Sequence, residues 1–283
     1  MTDRDDSPLI LDFGMHLGED SEFYLALGAR VISFEANGTL VAGNKERFHY
    51  ELKAQRLDIV EGAITPPGFQ GDAVAFFVDR DKSVWGTTKD EWVARNTGLG
   101  TSVDRIVVPA VDLADILTRN PTPYYAKIDI EGADRDVLAT LLATDTCPDF
   151  LSIESSKTSL DDVAAEIDLM QEIGYTRFAA VQQAAIPGSV YRGPTLHGDG
   201  ALRYRFRRHA SGRFGPLLQQ RYKTAGAVMD DYMKIFRRYS LFGDTSWLMK
   251  NPCARLPTRV VNRMLTTVVR QPLCGWYDTH ACR

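Results

Sequence analysis

Apolar residues in the first two thirds of the chain come in short runs that alternate with stretches of helical spacing. The run Ile10–Phe13 reads as a buried strand. After it, Phe23, Tyr24 and Leu27 share one helical face, with Asp20 or Ser21 placed to cap the start and Gly28 to end it. "RVISFE" forms a second strand ending at Glu35, and Leu40, Phe48 and Leu52 lie on one stripe of a helix expected over 38–54. "LDIVEGAI", "AVAFFV", "RIVVPA", "YYAKIDI", "FLSIE" and "YTRFAAV" are further strands. Ala133, Val137, Leu138, Leu141 and Leu142 mark one intervening helix, and Leu160, Val163, Ile167 and Met170 mark another that stops near Gly174. Such alternation predicts βαβ units: an α/β, doubly wound, mostly parallel sheet covered on both faces.

From about residue 184 the pattern changes. Glycine and proline become frequent, "RYRFRRH" is basic and strand-like, and Tyr222, Ala225, Met229, Tyr232, Phe236 and Tyr239 keep the spacing of a helix packed on a core. A second apolar helix is expected over 260–269. The expected division is a core over 1–210 and a C-terminal helical extension or lid over 211–283 that contributes to an acceptor site.

Charge narrows the function. The net charge of −4 leaves no basic footprint for general nucleic-acid binding. None of the four cysteines sits in a CxxC pair, which fits reduced thiols and a cytoplasmic protein. No leader-like segment opens the chain and no apolar run is long enough to span a membrane. A homo-oligomer is compatible with the sequence.

Acids stand where ligands bind in such sheets, at the carboxyl ends of strands: Asp12 with Gly14, Glu35, Asp129 with Glu131, and Glu154. Crowded negative charge at one edge calls for a cation or a hydroxyl-rich ligand. In "LDFGMHLGED" the glycines Gly14 and Gly18 permit a tight turn and a close approach, but the spacing is not that of a pyrophosphate fingerprint. Glu19 and Asp20 at the helix start repel a pyrophosphate and suit a sulfonium or an amino group. Glu35, about 20 residues on, is placed to hold ribose hydroxyls. These features favour S-adenosylmethionine over a nicotinamide dinucleotide. An oxidoreductase of similar topology and a non-catalytic module on the same fold are the alternatives.

The segments "LDFGMHLGEDSEFYL", "VISFEAN", "YYAKIDIEGAD" and "LSIES" resemble the FkbM family of S-adenosylmethionine-dependent methyltransferases, with "KIDIEGA" the most specific signature. The likeness extends to "SVWGTTKDEWVARNTGLGT" and "GWYDTHA", as in a branch with an extended C-terminal region. The resemblance implies a Rossmann-like class I methyltransferase fold with a seven-stranded sheet whose last strand is antiparallel. It implies methyl transfer, most often to a hydroxyl of a sugar, lipid or natural-product scaffold, so the partner is a small-molecule or glycan acceptor.

On this reading Asp12 and Gly14 contact the cofactor's methionine end, unless Asp12 only buttresses the turn, and His16 and Gly18 belong to the same turn. Glu35 holds the ribose, and Ala63 with Ile64 walls the adenine. Lys127 lies deeper, paired with an acid, while Asp129 reaches the methyl group or the acceptor. His280, oriented by Asp278, is the expected base for an alcohol acceptor, with Asp129 as the second choice. Trp85, Arg95, Asn96, Glu131, Glu154, Tyr277 and Asp278 are expected on the acceptor side, with the segment 275–281 folded back over the sheet edge. Asp129, Glu131 and Glu154 suit a divalent metal by ligand type, but no further ligand is evident and none is expected.

Overall fold

The computed structural model describes residues 7–79, 86–88, 103–130, 132–156, 159–198, 200–218, 221–242, 246, 260, 261, 264 and 275–283. In chain order the elements are β1 (Leu9–Phe13), α1 (Glu19–Ala26), β2 (Arg30–Glu35), α2 (Gly38–Arg47), α3 (His49–Lys53), β3 (Leu57–Glu61), β4 (Ala63–Ile64), β5 (Ala73–Asp79), β6 (Val103–Val111) and α4 (Leu113–Arg119). Then come β7 (Tyr125–Ile128), α5 (Asp134–Ala143), β8 (Phe150–Glu154), α6 (Leu160–Ile173), β9 (Arg177–Gln182), β10 (Val190–Pro194), β11 (Ala201–Arg205), α7 (Ala225–Phe242) and β12 (Tyr277–Cys282).

The main sheet has seven strands in the order β3-β2-β1-β7-β8-β12-β9. Pairings from β3 through to β8 are parallel, and β12 runs antiparallel to both β8 and β9. The winding reverses between β1 and β7, the point where ligands bind in doubly wound sheets. Leu9, Leu11 and Phe13 of β1 face the α5–α6 side with Val137, Leu141, Val163 and Ile167. Ile10 faces the other side with Phe23, Tyr24, Tyr125 and Phe214. This two-sided burial is why the central strands read as unbroken apolar runs.

Two expectations are corrected. The helix expected over 38–54 breaks at Phe48, whose ring instead packs against Gly18. Neither Asp20 nor Ser21 caps α1: Gly18 holds the N-cap position, Asp20 accepts from the Ser211 backbone, and Ser21 donates to Asp12. β12 is hydrogen-bonded into the main sheet between β8 and β9, and α7 packs on that same sheet. The strands "AVAFFV" and "RIVVPA" form a separate small sheet, β4-β6-β5, rather than joining the main one. No described helix is long and apolar enough to cross a membrane. Most of the helix expected over 260–269 lies outside the described residues.

Candidate active site

A cavity of about 380 Å³ opens at the carboxyl edge of the sheet, within the size range of small-molecule sites. One end is the turn after β1. Gly14 has φ +83°, and a Cβ there would stand 2.0 Å from the Asp129 carbonyl oxygen. The glycine is therefore required by the close approach of the β1 and β7 exits, not only by room for a ligand. Gly14 and Met15 both donate their N–H groups to the Phe34 carbonyl, which ties the turn to β2.

At the end of β2, Glu35 receives the His16 N–H on Oε2 at 2.8 Å and the Asn37 N–H on Oε1 at 2.9 Å. Each carboxylate oxygen keeps a second lone pair. Burial raises the pKa of Glu35, against the two backbone donors that lower it. Lys127 is buried beneath the turn. Its ammonium donates to the Gly14 carbonyl at 3.2 Å and lies 3.5 Å from Asp12, 3.6 Å from Asp20 and 3.6 Å from Asp129. Burial opposes its charge, but these carboxylates prevail and raise its pKa well above the ordinary lysine value.

The predicted residues separate into two groups. Gly14, His16, Glu35, Ala63, Ile64, Lys127, Asp129, Glu154 and Asp278 line the cavity together. Asp12 does not. It is wholly buried behind the turn, accepts from Ser21 at 2.5 Å and pairs with Lys127, so it buttresses rather than lines. Gly18 is also off the cavity wall; its φ of +76° and the Phe48 ring, 2.5 Å from where a Cβ would stand, account for it by packing.

His280 is the largest correction. It pairs with Ser152 and Ala179 in mid-sheet, two residue pairs below the Asp278–Glu154 pair, is 1% exposed, and does not line the cavity. Burial, with Arg221 nearby, pushes its pKa down to about 3, so it is a poor base at neutral pH. Nor is 275–281 a flap laid over the edge: from Tyr277 it is a sheet strand, and of this segment Trp276 and Asp278 line the cavity. Tyr277 lies off that wall, with its hydroxyl accepting from Gln182 at 3.3 Å. Trp85, Arg95, Asn96 and Glu131 lie outside the described residues.

The structure adds wall residues that the sequence reading passed over. Phe76 and Val78 of β5 join Phe34, Ala36, Ala63 and Ile64 in an apolar wall. Their alternation in "AVAFFV" marked one shared face, but not which cavity it would meet. Opposite, His209, Ala210 and Ser211 line the cavity, held there by the two hydrogen bonds from Ser211 N–H to Asp20 at 2.8 and 3.1 Å. Asp20 has a pKa of about 6, raised by burial and by Asp12 against the pull of Lys127. His16 and His209 both have positive φ and meet edge to face, ring centroids 5.5 Å apart. Nothing local in the sequence joins positions so far apart.

This donor set fits S-adenosylmethionine on its chemistry. A fixed carboxylate suits a ribose diol, an apolar wall suits a base, and Lys127 is one ammonium against the carboxylates of Glu19, Asp20, Glu35, Asp129, Glu154 and Asp278. Among the described residues no group of three ligand side chains is placed to hold a metal ion.

Comparisons with known proteins bear on the same question. No curated protein matches the chain. Among solved structures, similar folds include a precorrin-6y C5,15-methyltransferase from Geobacter metallireducens, at 12% identity over 70% of this chain and 75% of that one, with a TM-score of 0.34. Another is phosphoethanolamine N-methyltransferase 2 from Haemonchus contortus in complex with S-adenosyl-L-methionine, at 8% identity over 98% of this chain and 49% of that one, with a TM-score of 0.35. The glycopeptide N-methyltransferase MtfA with S-adenosyl-L-homocysteine is 10% identical over 98% and 81%, with a TM-score of 0.30. The family profile described as "Methyltransferase FkbM domain" matches residues 12–177, from the acid beneath the glycine turn into the first residue of β9. That match takes in more than half of the chain, and the protein belongs to the FkbM family of S-adenosylmethionine-dependent methyltransferases.

Proposed function

We propose that the protein methylates a hydroxyl on a sugar, lipid or natural-product scaffold. The observation that carries this reading is the composition of the cavity: beyond Glu35 and the apolar wall, Asp129, Glu154, Asp278 and Trp276 converge on the space left for an acceptor. The cofactor supplies an electrophilic methyl group on a sulfonium. The protein's part is to align the acceptor, exclude water and receive the proton that a hydroxyl must lose.

Glu35 is assigned to the ribose, with Ala63, Ile64 and Phe76 against the base. Gly14 and His16 form the wall beside the methionine end, and Asp12 acts from behind through Lys127. Asp129 is assigned to receive the acceptor proton. It stands at the exit of β7 with its side chain 40% exposed, and its carboxylate lies 3.6 Å from the Lys127 ammonium. Glu154 and Asp278 are assigned to acceptor contacts. The free thiols of Cys147 and Cys282 fit a reducing, cytoplasmic setting.

The test has two stages. Calorimetric titration with S-adenosylmethionine and S-adenosylhomocysteine should give saturable binding. Incubation with methyl-labelled S-adenosylmethionine and a panel of sugars, lipids and polyhydroxylated natural products should then label an acceptor with an ether. Cofactor binding without transfer to any acceptor would point to a non-catalytic module. A label found only on nitrogen would overturn the hydroxyl assignment.

A further inference from the structure

Lys127 is already shared by Asp12, Asp20 and Asp129, and it is the one lysine or arginine on the described cavity wall. Asp278, the second residue of β12, stands directly opposite Glu154 and is 6% exposed while lining the cavity. Among the described residues, no donor bonds its carboxyl group and no cation pairs with it. A carboxyl buried this deeply is ordinarily hydrogen-bonded or paired. The groups that face it are Asp129 beyond β7, Glu154 at the end of β8, Lys127 within β7 and Asp20 on α1; β9 presents Val181 alongside. Three of these four are acids. Trp276, just before β12, is 42% exposed and lines the same space, a flat ring suited to a sugar face or a cation.

We propose that Asp278, beside Glu154 and Trp276, is a subsite for an ammonium group on the methyl acceptor, so that the acceptor is an amine-bearing polyhydroxylated molecule such as an amino sugar or aminocyclitol. This rests on the reading of the cavity as a methyltransferase site and adds the acceptor's charge. The donor cofactor does not remove the need for a cation here. Its sulfonium and amino group bring two positive charges and its carboxylate one negative, a net of one against an acid-rich wall. Burial, together with Asp129 and Glu154, raises the proton affinity of Asp278 well above that of an ordinary aspartate, against Lys127. A bound ammonium offsets that field, so its binding should expel a proton from the cluster.

The experiment uses the full chain saturated with S-adenosylhomocysteine, which occupies the cofactor's own ammonium position. Glucosamine and 2-deoxystreptamine are titrated by calorimetry beside their neutral counterparts, glucose and inositol, in buffers of differing ionisation enthalpy. At least one amine should bind about tenfold or more tightly than its neutral partner, the increment of a charge-assisted hydrogen bond, with net proton release. D278N and, as a second variant, E154Q should erase that preference and the proton release while S-adenosylhomocysteine affinity and the unfolding midpoint stay near wild type. Equal binding of amine and neutral partner, binding of neither, or a preference unchanged in D278N overturns the proposal. If S-adenosylhomocysteine itself fails to bind the wild type, the methyltransferase reading of the cavity fails first, and the proposal with it.

Discussion

Gly14→Ala tests how the site is built. The added Cβ would lie 2.0 Å from the Asp129 carbonyl oxygen, 3.1 Å from its carbon and 3.4 Å from the Ile130 side chain. The nearest obstacle is backbone, so no rotamer change relieves it. The Asp129 N–H donates to the Phe13 carbonyl at 3.2 Å, so relief must come from parting the ends of β1 and β7. Two costs add: holding a non-glycine residue at φ +83°, about 1–2 kcal/mol, and overpacking at a rigid contact, about 1–3 kcal/mol. The sum, about 2–5 kcal/mol, is a large part of a typical domain's stability. Urea unfolding followed by circular dichroism should show a lowered midpoint at unchanged slope. Calorimetry should show weakened S-adenosylhomocysteine binding, because the same turn carries the His16 N–H to Glu35. Gly43→Ala is the control. It lies within α2 with nothing within 4 Å of its added Cβ, so it should stabilise by about 0.5–1 kcal/mol. A Gly14→Ala variant within about 0.5 kcal/mol of wild type would refute the packing argument.

Glu35→Ala should weaken S-adenosylmethionine binding by about 1.5–3 kcal/mol, measured by calorimetry, with Glu35→Gln intermediate because one oxygen acceptor remains. Lys127→Met should destabilise the fold by about 3–5 kcal/mol in urea titrations, because it strips the shared cation from Asp12, Asp20 and Asp129. For His280 the sign follows from a folded-state pKa of about 3 against an ordinary 6.5. As pH falls from about 6.5 to 3 the unfolded chain takes up a proton that the native state refuses, so stability is lost over that window. His280→Leu should flatten this acid loss, read from unfolding midpoints at several pH values, and leave cofactor affinity unchanged; a drop in affinity would return His280 to the site.

The parallel sheet was legible because its strands are buried on both faces and its helices carry their own period. The place of Glu35 on the cavity wall was legible because strand end and spacing agree at one residue. What stayed hidden depends on contacts between distant positions. Nothing near Gly14 announces the Asp129 carbonyl, and nothing near Asp20 announces Ser211. Asp20 and Ser21 have the chemistry of helix caps, but tertiary partners claim them, and a glycine already in the left-handed region starts α1. Phe76 and Val78 alternate as half-buried strand residues should, yet the alternation leaves open whether their face meets another sheet or a ligand.

The C-terminal segment shows how strand direction alone decides a role. Trp276, Asp278 and His280 recur every second residue, so an extended chain turns them toward one face. Had β12 run parallel to its neighbours, its last residues would have met the ligand edge and His280 would have been the nearer group. It runs antiparallel, so the edge receives the beginning of the strand: Asp278 opposite Glu154, with Trp276 just outside. Each further residue moves about 3.4 Å into the sheet, which puts His280 about 7 Å deeper, among side chains that cannot solvate its charge. The histidine thus becomes a neutral core residue, and the aspartate two residues before it is the group at the cavity. Among the described residues no donor bonds that aspartate's carboxyl group and no cation lies within ion-pair distance of it, although it is 6% exposed. A buried carboxyl of that kind is retained against its own desolvation, which makes sense if a bound cation completes it.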